Sequence, residues 1–226
     1  MTFGNLSGNM LMERSTEEGD PPVAESSTDI AARKRAVRAQ VRGRLAALDG
    51  LQIESRSQSL AGRLFATSWW SEGEWVFIYI PMGGEVDTRF IVARAYREKK
   101  QVAIPRIEGE DLAFYVYGGR TENLIPNQFG ILEPDPAWTV IDPSVPTGKR
   151  LLVLTPGLAF DRQGRRLGRG KGFYDRFLHR LRASHPAGRF SWAVGLSFAE
   201  QLVERVPVTD HDELLEGIVT DQEVIG

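Results

Sequence analysis

The chain has 226 residues, 42% of them hydrophobic and 26% charged, with a formal net charge of -2 and no cysteine. That composition is globular and excludes a wholly disordered, collagen-like or coiled-coil chain; the length fits one domain, at most two small ones. Disulfides, thiolate nucleophiles and Cys-bound zinc are excluded, no stretch approaches the ~18 apolar residues of a membrane-spanning helix, and the near-neutral balance does not select nucleic acid as a partner.

Residues 1–29 are rich in Gly, Ser, Glu and Pro, lack periodicity and read as a flexible tail. The tail shows no secretory signal. A helix is expected over 30–48, where Val37, Val41, Leu45 and Leu48 recur at helical spacing, with Gly50 as its stop signal. A second helix is expected over 55–68. Residues 75–80 form a continuous apolar run of strand length, hence a buried strand. Pro81, Gly83 and Gly84 make a loop, and Asp87 or Thr88 can cap a helix reaching about residue 99. Short strands are expected at 101–105 and 112–117, then a Pro- and Gly-rich connection over 123–147. A buried strand at 150–155, a glycine-rich loop at 156–171 and a helix over 173–183 follow. The last elements are a strand at 190–195, a short helix at 198–204 and a terminal strand at 217–225. Strands alternating with helices imply a Rossmann-like, layered α/β/α domain over 30–226, with a mostly parallel sheet covered on both faces. Ligands in such folds sit beyond the carboxyl ends of the strands, which points to the loops after Ile80 and Thr155.

Four segments carry chemistry. The first runs from Thr155 to Asp175, from a strand end to a helix start. Gly168, Gly170 and Gly172 permit left-handed backbone and close approach to a ligand. Arg169 and Lys171 add positive charge, and the helix start favours an anion. The spacing matches neither the Walker loop nor the dinucleotide fingerprint; the segment reads as a phosphate cradle or as a mobile loop. In the second, Lys34 and Arg38 fall along or beside the apolar stripe of the first helix, whereas Arg35 lies away from it. They either snorkel to water or converge on an anion. The third is Tyr79 to Thr88, where Met82 offers adaptable apolar surface and Glu85 and Asp87 are acceptors, or form a turn and helix cap. The fourth is acidic: Asp210, Asp212, Glu213, Glu216 and Asp221. Carboxylates with substrate phosphates can hold Mg²⁺, and an exposed acidic loop is the other reading. His179, His185 and His211 have no zinc spacing, and Ser197 is not in a nucleophile elbow.

Taken in order, Lys34-Arg-Ala-Val-Arg38, Met82-Gly-Gly-Glu-Val-Asp-Thr88, Phe129-Gly-Ile-Leu-Glu-Pro134, Pro156-Gly-Leu-Ala-Phe-Asp161, Arg166-Leu-Gly-Arg-Gly-Lys-Gly-Phe-Tyr-Asp175 and Val206-Pro-Val-Thr-Asp-His-Asp212 resemble the 5-formyltetrahydrofolate cyclo-ligase family. The resemblance covers about residues 31–222 and is most specific in the glycine-rich block. It implies ATP- and Mg²⁺-dependent conversion of 5-formyltetrahydrofolate to 5,10-methenyltetrahydrofolate, with ADP and phosphate released; the absence of cysteine fits a reducing cytoplasm. It implies ATP binding by Lys34, Arg38, Arg166, Leu167, Gly168, Arg169, Gly170, Lys171, Gly172, Phe173 and Tyr174. Met82, Glu85, Asp87 and Tyr174 are implied for the folate, and Asp175 and Glu216 for Mg²⁺. Phe173 stands where many members carry Tyr, and Glu216 where the family has Asp. These departures motivate a second reading, a silent relative that only binds reduced folate. An RNA-binding module built on the 162–182 basic block is a third, without interleaved aromatics to support it.

Overall fold

The structure is a computed structural model and describes residues 1–2, 26–127, 130–141, 149–184 and 191–226. The tail over 3–25, residues 142–147 of the connection, Phe129 and the Phe190 strand start lie outside the described residues.

Helix α1 spans Ser27–Leu45, α2 Gly50–Phe65 and α3 Ser68–Glu72, followed by strand β1, Trp75–Ile78. Helix α4, Arg89–Arg97, leads to β2, Gln101–Glu108, and β3, Asp111–Val116. The connection that follows holds three two-residue strands: β4, Ile125–Pro126; β5, Leu132–Glu133; and β6, Val140–Ile141. Then come β7, Leu151–Thr155; β8, Ala159–Phe160; β9, Arg166–Leu167; and α5, Phe173–Ser184. The chain closes with β10, Ser191–Ser197; β11, Gly217–Thr220; and β12, Val224–Ile225.

Local chemistry explains where the boundaries differ from expectation. Helix α1 starts earlier because the Ser26 side chain accepts the Asp29 N–H as N-cap. Gly50 does not stop a helix. It opens α2, because Asp49 and Gln52 form a reciprocal capping box in front of it. The expected 217–225 strand is a hairpin of β11 and β12, turned where the Thr220 hydroxyl accepts the N–H groups of Gln222 and Glu223. The short helix expected at 198–204 is one 3₁₀ turn, Ala199–Gln201.

The central sheet has the order β12-β11-β10-β7-β1-β2-β3-β6. The five strands β11, β10, β7, β1 and β2 run parallel, and β12, β3 and β6 add antiparallel margins. The two-residue period of a strand splits the apolar runs between two cores. Val76, Ile78, Leu152 and Leu154 pack under α2, α3 and α4 with Leu60, Leu64, Trp70 and Ile91. Phe77, Leu151 and Val153 face the other way, onto Phe177, Leu178 and Leu181 of α5. The layered α/β/α expectation holds. Helix α1 reaches the first core through Leu45, while Val41 packs on Ala159, Leu167 and Val206, so α1 braces the β8–β9 hairpin. No helix among the described residues is long and apolar enough to cross a membrane.

Candidate active site

From β1 the chain moves to β2 on one side, and from β7 it moves to β10 on the other. Strands β1 and β7 are parallel neighbours, so strand order reverses between them and a crevice opens beyond their carboxyl ends. Both loops picked out in the sequence leave from these ends. They enclose a cavity of about 700 Å³.

The glycine-rich loop is held from below. The Asp161 carboxylate is fully buried, and accepts the N–H groups of Gln163, Arg165 and Val206 and the Arg165 side chain. This ties the β8–β9 turn to the chain that follows β10. Beyond β9, Gly170 and Gly172 take φ of 109° and 68°, which side chains with a Cβ rarely adopt. Gly168 does not use this freedom. Its carbonyl instead accepts the Arg38 Nε–H at 2.9 Å. The loop ends at α5, where the first-turn N–H groups have no intrahelical acceptor.

Strand order sets the polar and apolar lining apart: the glycine-rich loop follows β7, whereas β2 and the hairpin bonded to it lie on the far side of β1. Gly168, Arg169, Lys171, Gly172, Asp175 and Arg176 line a polar half. Arg166, 4% exposed, donates to Asp175 Oδ1 at 2.7 Å, and its guanidinium lies over the Tyr174 ring. Arg176 caps the Lys171 carbonyl and bonds the Glu110 carbonyl, closing one end. The other half is apolar, with Ile80, Met82, Pro105, Ile107, Ile131 and Leu132 in its wall. Glu85 bridges the halves: one oxygen accepts the Met82 N–H at 2.9 Å and the other pairs with Arg169 at 2.8 Å. The hydroxyls of Tyr79 and Tyr174 are buried without a hydrogen-bond partner among the described residues. Burial pushes both phenols well above their ordinary range, so both remain neutral.

The structure brings together Met82, Glu85, Arg166, Gly168, Arg169, Lys171, Gly172, Phe173, Tyr174 and Asp175 in the cavity wall. Lys34, Arg38, Leu167 and Gly170 are not in that wall. Lys34 is 2.5 Å from the Asp212 carboxylate, which also accepts the Thr209 N–H. Burial works against ionisation of Asp212, but Lys34 and Thr209 outweigh it and hold the carboxyl below its usual range. Of the two third-segment acids, Asp87 is not in the wall. It binds the Arg89 N–H and guanidinium at the start of α4. Glu216 is not in the wall either: its carboxylate is held by Arg182 and the Ala193 N–H. Tyr79, Arg176 and the Ile131–Glu133 stretch line the cavity in addition to the site residues expected from the sequence. Two of these carry a signal in the sequence: Tyr79 through its place at a strand end, and the Ile131–Glu133 stretch through the Phe129–Pro134 motif of the resemblance.

Mg²⁺ takes one or two carboxylates with phosphates and water. Asp175 fits as one of them, since its Oδ1 is bound by Arg166 and the Glu213 N–H while the residue stays in the cavity wall. Glu216 does not fit beside it. No group of three or more His, Cys, Asp or Glu able to hold a metal exists among the described residues, so a metal there would rest largely on nucleotide phosphates.

The profile of the 5-formyltetrahydrofolate cyclo-ligase family matches residues 30–221. A mitochondrial 5-formyltetrahydrofolate cyclo-ligase of Arabidopsis thaliana is 31% identical over 220 residues, covering 89% of this chain and 78% of the relative. The Escherichia coli K12 5-formyltetrahydrofolate cyclo-ligase is 30% identical over 187 residues, covering 81% of this chain and 98% of the relative. The solved 5,10-methenyltetrahydrofolate synthetase of Aquifex aeolicus superposes with a TM-score of 0.70 at 27% identity, over 85% of this chain and 91% of that one. A match that runs from the first helix to the last parallel strand, and takes in every wall of the cavity, makes the chain an enzyme that belongs to the 5-formyltetrahydrofolate cyclo-ligase family.

Proposed function

We propose that the protein uses ATP and Mg²⁺ to convert 5-formyltetrahydrofolate to 5,10-methenyltetrahydrofolate, releasing ADP and phosphate. The observation that carries this reading is the two-sided cavity between β1 and β7: a cationic, glycine-rich half for phosphates beside an apolar half for a ring system. An amide-type oxygen is a poor leaving group, and phosphorylation makes it a good one. The formyl oxygen attacks the γ-phosphorus and ADP departs. N10 then attacks the formyl carbon, the ring closes, phosphate leaves with the former formyl oxygen, and N10 loses its proton.

Such chemistry rests on positioning and charge stabilisation. Arg38 fixes the loop through Gly168, and Arg169 and Lys171 supply charge to the phosphates. Glu85, bonded to the Met82 N–H, presents an acceptor to the folate amide and amino hydrogens. The unpaired Tyr79 and Tyr174 hydroxyls are donors that a bound ligand can satisfy. Asp175 would hold Mg²⁺, which supplies neutralisation of phosphate charge. A cytoplasmic setting, with small-molecule partners and no nucleic acid, belongs to the same reading and accords with the cysteine-free chain.

The test is absorbance at the methenyl band after mixing protein, ATP, Mg²⁺ and 5-formyltetrahydrofolate, with each component omitted in turn. Product only in the complete mixture is expected. Equal product without nucleotide or in excess EDTA refutes the mechanism, and folate binding with no product in any mixture favours the silent relative.

A further inference from the structure

The motif around Ile131, Glu133 and Pro134 has so far no role in the reaction. Glu133 is 3% exposed and stands in the cavity wall beside Ile131 and Leu132. A carboxylate buried this deeply is costly unless it is paired and hydrogen-bonded.

Here it is compensated from two sides. Its Oε1 accepts the Ile107 N–H of β2 at 3.1 Å and the Asn127 Nδ2–H at 2.8 Å. Its Oε2 lies 3.6 Å from the Arg106 guanidinium, which also donates to the Pro134 carbonyl at 2.7 Å. Asn127 is in turn bonded twice to Ile131, through its N–H at 2.8 Å and through its Oδ1 at 3.0 Å. One carboxylate thus fastens the β4–β5 hairpin to the neighbouring strand.

The backbone explains why a fastening is needed there. Strand β2 pairs with β1 only over Gln101–Ala103. The Gln101 N–H points to that side, onto the Glu74 carbonyl. Alternation puts Pro105 and Ile107 on the same side, beyond the last paired residue of β1. Pro105 has no N–H to satisfy. Ile107 has one, and Glu133 takes it where no strand can. The same bond sets Ile131 and Leu132 beside Pro105 and Ile107 in the apolar lining of the cavity.

We infer that Glu133 is a positioning residue for the reduced folate: by joining the β4–β5 hairpin to β2 it holds in place the Ile131–Leu132 lining of the apolar half that takes the pteridine ring. This rests on the proposed function. Neither α1 nor the glycine-rich loop contributes a bond to Glu133, so its loss acts on folate and not on nucleotide.

The experiment compares Glu133→Gln, Glu133→Asp and Asn127→Asp with the parent. Gln removes the charge facing Arg106, and Asn127→Asp sets a like charge against Glu133. Steady-state rates are measured with folate varied at saturating ATP and the reverse, alongside thermal midpoints. Folate KM is expected to rise about tenfold in Glu133→Gln and Asn127→Asp while ATP KM stays within about twofold, and Glu133→Asp is expected to recover part of the loss. Folate KM unchanged with a lowered thermal midpoint overturns the inference and makes Glu133 a core residue only. Equal rises in both KM values overturn it too, because the whole cavity is then distorted. Binding of 5-formyltetrahydrofolate alone, followed by tryptophan fluorescence, keeps the two proposals apart. A parent that binds folate without turnover refutes the proposed reaction, and the Kd ratio of the variants still decides the role of Glu133.

Discussion

Removing the Arg38 side chain should cripple ATP use and leave the fold standing. Arg38 Nε donates to the Gly168 carbonyl at 2.9 Å, and a Cβ built on Gly170 would lie 3.4 Å from its guanidinium. One side chain on α1 therefore bonds the glycine-rich loop at Gly168 and lies beside Gly170. Burial, then the nearby Arg42, pull its pKa down from the ordinary arginine value, yet arginine stays charged at any working pH. A hydrogen bond from a charged group contributes about 1.5–3 kcal/mol, so Arg38→Ala should lower kcat/KM for ATP by about 10- to 150-fold. The same bond is made without nucleotide, so its loss also costs folding up to about 1.5–3 kcal/mol, a fall of about 3–12 °C in the thermal midpoint of a chain this size. Arg38→Lys keeps the charge but has no fork to bond the carbonyl and reach a phosphate together, so it should recover only part of the activity. Arg35→Ala is the control, because Arg35 is exposed and lies away from the apolar stripe of α1. The assay is methenyl formation against ATP concentration. If Arg35→Ala is as damaging as Arg38→Ala, or if Arg38→Ala keeps the parental kcat/KM for ATP, the reasoning fails.

Asp175→Asn should weaken the apparent affinity for Mg²⁺ and also lower the thermal midpoint, because Arg166, with its side chain 2% exposed, loses its counter-ion; a parental Mg²⁺ titration with only the midpoint lowered would make Asp175 an arginine partner and no metal ligand. Deleting residues 1–25 should leave turnover and midpoint nearly unchanged, whereas deleting 1–29 removes the Ser26 cap of α1 and should cost about 1 kcal/mol; a large loss from the shorter deletion, read by the same assay and a thermal scan, would contradict this. Burial raises Tyr96 to about 12, and Tyr79 and Tyr174 rise with it. Unfolded tyrosines ionise near ~10, so above that pH the unfolded chain holds fewer protons and stability falls as pH rises. Thermal midpoints should drop between about pH 10 and 12, with tyrosinate absorbance appearing only on unfolding; tyrosines that all titrate near ~10 in the folded protein would contradict it.

The layered fold was legible because its signals are local. Phe77, Val153 and their neighbours are buried on both faces, so β1 and β7 read as unbroken apolar runs. The glycine-rich loop was legible for a related reason: Gly170 and Gly172 mark backbone conformations, and those are written residue by residue. Side-chain partnership is not local. Glu85 and Asp87 are two residues apart and chemically alike, yet one faces the cavity while the other serves Arg89, because Arg169 comes from a loop 84 residues away. Glu216 reads as a metal ligand until Arg182 and the Ala193 N–H occupy it. Glu133 sits in a stretch with no periodicity, and only the unequal lengths of β1 and β2 leave the Ile107 N–H that it satisfies. A carboxylate's role follows from which donors packing leaves unpaired beside it, and that is set by strand register and helix placement over distances the local sequence does not encode.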